Sequence, residues 1–79
     1  MTTTTAAHAL VVDHFHGFER GVTATAPGKW LRAIFVDTAR NNGVDPVDLA
    51  AATIEKFDEI DLDHLADKVR ATFPELVSN

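Results

Sequence analysis

Four histidines, one run of carboxylates and a Pro-Gly-Lys turn are the residues of this chain that offer chemistry. His8, His14, His16 and His64 invite a metal reading, but His14 and His16 stand two apart in a stretch of helical apolar spacing. Residues two apart on a helix point to different faces and do not chelate one ion together. His14 falls among the apolar positions Leu10, Val11, Phe15 and Phe18, which predicts a partly buried, satisfied imidazole. Near their ordinary pKa of ~6.5, such imidazoles can still act as pH-dependent charges. Asp58-Glu59-Ile60-Asp61-Leu62-Asp63 has the acid density of a calcium loop without its glycine or distal bidentate glutamate. It reads as a solvated, acidic helix junction. Ala26-Pro27-Gly28-Lys29 lacks the upstream glycine and the following hydroxyl of a phosphate-binding loop. With no cysteine, no tyrosine and Ser78 in the C-terminal tail, no nucleophile has a base to activate it. The expectation is a protein that is not an enzyme and holds no metal or cofactor.

Composition narrows the class. Seventy-nine residues, 46% hydrophobic and 24% charged, make one globular domain over residues 1–79, near the size where a single core is marginal. Self-association or a partner would add stability. The lack of cysteine, of a basic leader and of any long apolar run predicts a cytoplasmic protein that does not span a membrane. The net charge of −5 is uneven. Residues 58–79 hold six acids against two bases, whereas residues 19–57 balance five against five. Such a surplus repels nucleic acid unless the bases cluster on one surface.

The elements that must position these residues read as helices. The spacing predicts an all-α fold, a compact bundle of three to four short helices over about 6–18, 27–42, 46–58 and 61–73, with 1–4 and 77–79 frayed. Thr5 can cap the first helix, whose stripe is Ala7, Leu10, Val11, Phe15 and Phe18, with Gly17 and Gly21 at its end. The second, with Leu31, Ile34, Phe35, Thr38 and Ala39 inward and Trp30, Ala33 and Val36 widening the stripe, is expected to be the central helix. Asn41-Asn42-Gly43-Val44-Asp45-Pro46 combines a stop and a start: Gly43 supplies positive φ, Asp45 an N-cap and Pro46 a first helical position. The third stripe is Val47, Ala50, Ala51, Ile54 and Phe57. A break before the fourth is favoured over one long helix, with Asp61 as N-cap and Ile60 stapled to Leu65. Leu62, Leu65, Ala66, Val69 and Phe73 then face the core up to Pro74, with Leu76 and Val77 folding back on it. Residues 22–26, Val-Thr-Ala-Thr-Ala, alternate with period two and read as an extended linker or a short strand.

With that strand, residues 20–57 resemble the ribbon-helix-helix regulators and antitoxins: Arg20 to Pro27 as ribbon, Trp30 to Asn42 as first helix, Gly43-Val44-Asp45 as turn, and Leu49, Ile54 and Phe57 in the second helix. The resemblance implies a dimeric DNA-binding transcriptional regulator with extra flanking helices. Thr23 and Thr25 would then read bases, and Lys29, Arg32 and Arg40 would contact phosphates.

The first functional expectation is different. It is a non-enzymatic protein–protein interaction module, an adaptor, regulator or inhibitor-type small protein. Its partner would dock on an apolar, aromatic surface at Trp30 and an acidic one at Asp58, Glu59, Asp61, Asp63 and Asp67. The acidic surface suits a basic partner, and a homodimer is compatible with the size. A third class is a small structural subunit of a phage or microbial assembly, in keeping with an Ala-, Val-, Thr- and Asp-rich composition typical of GC-rich bacterial or phage genomes.

Overall fold

The computed structural model describes residues 2–76. Five helices follow in order, α1 (Thr2–Asp13), α2 (Phe15–Ala24), α3 (Lys29–Asn41), α4 (Pro46–Glu59) and α5 (Asp63–Thr72), and a single 3-10 turn, Pro74–Leu76, closes the described chain. Among the described residues there is no strand, and the fold is the all-α bundle that the periodicity predicts.

Helix α4 forms the centre, packing on α1, α3 and α5. Its Leu49, Ala50, Ala52, Thr53, Ile54 and Phe57 are all buried. The expectation that the Trp30 helix is central is therefore corrected. A helix lined by alanines admits neighbours on several sides, while Ala51 faces solvent. Thr53 lies inside this apolar face without penalty because its hydroxyl donates to the Leu49 carbonyl at 2.8 Å. Phe35, Phe57 and Phe73 are fully buried, each contributing roughly 2–3 kcal/mol of apolar transfer. Phe35 joins two of the layers, stacking on Phe18 at 5.8 Å and meeting the edge of Phe73 at 5.6 Å.

The first predicted helix is two. The backbone leaves helical geometry at His14 (φ −122°, ψ 30°), although its N–H still donates to the Leu10 carbonyl at 3.1 Å. The physical cause is tertiary. Ala7, Leu10 and Val11 lie on α1, which packs on α4, whereas α2 packs on α5, and one straight rod cannot follow both. The bend leaves His14 exposed, not partly buried as expected. Helix α2 then runs through Gly17 and Gly21 and takes in Val22, Thr23 and Ala24, so no strand forms at 22–26 and the linker shrinks to residues 25–28, with Thr25 extended and α3 starting at Lys29 instead of Pro27. Burial of Val22 against the core outweighs the weak extended preference of this short stretch. At the other end, α1 already includes Thr2 to Thr4, expected to be frayed, and Thr5 lies inside it instead of capping it. Helix propagates outward from a packed anchor at about one bond per residue. The expected fraying of Met1 and residues 77–79, and the folding back of Val77, lie outside the described residues.

The turns follow local rules. Asn42 ends α3, Gly43 takes φ +69°, its N–H donates to Arg40 and that of Val44 to the Ala39 carbonyl at 3.0 Å, the paired bonds of a Schellman motif. Buried Val44 rests in the core beside Ala39. The Asp45 carboxylate accepts from the N–H groups of Val47 and Asp48 at 3.0 and 3.2 Å, and Pro46 opens α4. The break before α5 is present, but Asp61 is not its N-cap. Leu62 holds that position, and Asp61 adopts φ +65° as the left-handed residue that ends α4. The Asp61 N–H donates to Asp58 and that of Leu62 to Phe57 at 2.8 Å, a second Schellman motif. Ile60 stays exposed, so the staple to Leu65 does not form. Asp61 thus occupies a conformation that favours glycine. Substituting Asp61→Gly is expected to raise unfolding stability by about 1 kcal/mol, read as a higher urea midpoint with unchanged slope. A lower midpoint would refute the assignment.

Candidate functional site

Helices α2 and α3 diverge from their short connection and leave an apolar groove of about 390 Å³ between them. On one wall stand Leu10 and His14, then Gly17, Phe18, Gly21 and Val22 of α2. The other wall is one face of α3, Leu31, Ile34, Phe35, Thr38 and Asn42, at spacings of three and four. Buried Leu10, Phe18, Leu31 and Phe35 make the floor. Gly17 and Gly21 fall one turn apart, and a Cβ at either would meet nothing within 4 Å, so the groove is open because these side chains are missing.

What holds the walls apart is α5. The Lys68 ammonium donates to the last-turn carbonyls of α2, Val22 and, at 3.2 Å, Thr23, so a cation satisfies orphan acceptors at the negative end of that helix. The Gly28 N–H donates to the Thr72 hydroxyl at 3.3 Å, which itself donates to the Lys68 carbonyl at 2.9 Å. Arg32 of α3 donates to the Thr72 carbonyl at 3.1 Å, lies 4.5 Å over the Phe73 ring, and makes a two-pronged pair with Glu75 at 3.0 and 2.5 Å. Each wall is therefore pinned to the same turn of α5.

Trp30 stands on α3 beside the groove mouth, one turn before Ile34, and is 71% exposed. Its expected place in the core cluster, and Ala33's contribution to it, are corrected: Leu31 and Phe35 fill the core, and a ring on the opposite arc cannot reach it. Lys29 Nζ lies 5.4 Å over the indole. Ile34, which lines the groove, is 40% exposed, and Trp30 precedes it by one turn.

The acidic residues singled out from sequence are largely engaged within the chain. Arg70 binds Asp58 and, at 2.9 Å, Asp67, and Lys56 reaches Glu59 at 3.3 Å. Asp61 and Asp63 are exposed at the α4–α5 junction. The residues of the DNA-binding reading are not brought together as a ribbon. Thr23 ends α2 with its carbonyl bound by Lys68, Thr25 follows it half-buried, Arg32 is committed to Glu75, and Lys29 and Arg40 are exposed on α3. The histidines are dispersed: His8 reaches Glu55 at 3.0 Å, linking α1 to α4, His16 approaches Glu19 at 3.9 Å, and His64 is exposed on α5. Sequence reasoning missed the groove, although glycines at positions 17 and 21, four apart within a helical stripe, were its signal.

A family profile matches residues 2–76. The chain belongs to DUF7291, a family of unknown function. No curated protein and no solved structure matches it. This family member presents an apolar groove, an exposed tryptophan one turn from the groove residue Ile34, and the α5 clamp. Among the described residues no helix is long and apolar enough to cross a membrane.

The clamp carries a pH dependence. Hydrogen bonding from Arg32 is the main cause that lowers the Glu75 pKa from 4.5 to about 2. A carboxylate whose folded pKa is depressed contributes stability above its unfolded pKa and loses it as pH falls through the folded value. The difference in urea midpoint between the native chain and Glu75→Gln should therefore be constant near neutrality and shrink between pH 4.5 and about 2. A difference independent of pH across that window would refute the pairing.

Proposed function

We propose that this protein is a non-enzymatic interaction module that binds another protein through the α2–α3 groove, with Trp30 as the anchor. The observation that carries this reading is Trp30: the one tryptophan of the chain, 71% exposed, one helical turn before Ile34 of the groove wall. A large aromatic left in water contributes little to folding. Tryptophan is also enriched among the few residues that dominate binding energy at interfaces. The volume of the groove, about 390 Å³, is within the range that accepts side chains or a small ligand. A groove between two helices with apolar positions at spacings of three and four suits an amphipathic helix of the partner. The acidic junction at Asp61 and Asp63 is a second contact surface, subordinate because its neighbours Asp58, Glu59 and Asp67 already have cationic partners.

The test separates fold from binding. Trp30→Ala should change unfolding stability by less than about 0.5 kcal/mol, as for surface positions in general. A photo-crosslinking residue placed at exposed position 37, on the same arc of α3 and leaving Trp30 in place, should give discrete protein adducts in the source cells that are lost in Trp30→Ala, while the same residue at position 63 gives fewer. Absence of adducts at position 37, or adducts unchanged by Trp30→Ala, would sink the reading.

A further inference from the structure

We infer that the α2–α3 groove binds an uncharged, amphiphilic small molecule, its apolar body between Gly21 and Ile34 and its hydroxyl or carbonyl head at His14, Thr38 and Asn42. Trp30 does not line the groove, so this site stands apart from the interaction reading, whose warrant is that residue. A molecule seated there and a partner's side chains would exclude one another.

The walls are uncharged. In a chain that is 24% charged, no Asp, Glu, Lys or Arg lines this groove. An ionised group entering it would give up water and meet no counter-charge, whereas a neutral apolar body gains by leaving water. The polar residues of the lining are gathered at one end. Helices α2 and α3 part from the connection at 25–28, so His14 at the start of α2 and Thr38 and Asn42 at the end of α3 lie far from it, with Val22 and Leu31 near it. A largely apolar site with a few convergent polar groups is the usual form of a small-molecule pocket.

Those polar groups have hydrogen bonds to spare. Thr53 and Thr72, the threonines of α4 and α5, each donate to the carbonyl one turn back, at 2.8 and 2.9 Å. Half-buried Thr38, the threonine of α3, does not, and neither its hydroxyl nor the His14 imidazole has a hydrogen-bond partner among the described residues. Asn42 donates its amide N–H to the Thr38 carbonyl at 2.8 Å, which leaves its Oδ1 as an acceptor. A ligand hydroxyl can thus accept from Thr38 and donate to Asn42 or His14. Size completes the class. An apolar cavity of about 150 Å³ takes one benzene, so about 390 Å³ accepts a chain of roughly eight carbons or two fused rings with a head attached.

Octan-1-ol, octanoate and octylammonium make the probe set, one chain with three heads. Each is titrated into the isotope-labelled full chain, and amide chemical shifts report both place and affinity. Octan-1-ol is expected to shift Gly17, Gly21, Ile34 and Thr38 and to bind at least about tenfold more tightly than either ion. Thr38→Val keeps the shape, removes the hydroxyl and should weaken octan-1-ol about fivefold, the worth of one neutral hydrogen bond. The double variant Gly17→Leu, Gly21→Leu, with open space at both Cβ positions, should keep the native spectrum elsewhere and lose binding. Equal affinity for the three heads, shifts centred outside the groove, or Thr38→Val without effect would each overturn the inference. So would the absence of shifts up to the solubility of octan-1-ol. None of these outcomes alters the crosslinks expected of the interaction reading, which stands or falls by Trp30.

Discussion

Helix α2 and helix α3 are both fastened to one stretch of α5, and the arrangement of the molecule depends on that attachment. Lys68 satisfies the carbonyl end of α2, Thr72 receives the Gly28 N–H, and Arg32 spans Thr72, Phe73 and Glu75. Charged hydrogen bonds to backbone carbonyls and a two-pronged arginine pair are stronger than neutral contacts, and they are directional. They set where each helix starts and ends relative to α5, and the Phe18–Phe35–Phe73 cluster fills the space beneath. Because both helices spend their polar contacts on α5, little holds them to one another along their outer edges. A groove between them is the geometric remainder.

The same constraint explains which residues reach solvent. Helix α3 has one arc in the core, with Leu31, Phe35 and Ala39 buried, and one arc turned outward, where Trp30 and Ile34 lie. A helix carrying apolar residues on more than one arc must find two neighbours or expose one set. The neighbour on the second side is α2, and its facing positions are Gly17 and Gly21, which have no side chain to offer. The acids of α4 and α5 draw Lys56 and Arg70 into local pairs, and Arg32 of α3 is held by Glu75.

Much of the fold was legible in the sequence because its turns are governed by local chemistry. Asn42-Gly43-Val44-Asp45-Pro46 forms the Schellman stop and the capped start that its residue types require, and the helix boundaries around it hold within a residue or so. Where two local rules competed, reading went astray. Asp61 can cap a helix or adopt a left-handed conformation, and the choice fell to the latter because the Phe57 carbonyl of α4 is satisfied by the Leu62 N–H across that residue. Alternation in Val-Thr-Ala-Thr-Ala suggested extended chain, yet burial of Val22 and the Lys68 cap keep α2 helical to Ala24. The candidate site was legible only in part. Trp30 stood out by residue type, while its partner glycines looked like a helix end.

By itself the sequence determined the helical class, the α3–α4 turn and the stripes that bury Leu31, Phe35, Phe57, Val69 and Phe73, since each follows from spacing along one segment or from backbone rules spanning a few residues. Only the tertiary structure decided the bend at His14, the central role of α4, the exposure of Trp30 and the pairing of Asp58 and Glu59 within the acidic run. Those depend on which helix lies beside which, and contacts between residues some 40 positions apart, such as Arg32 with Glu75 and Lys68 with Val22, leave no periodic trace in the chain.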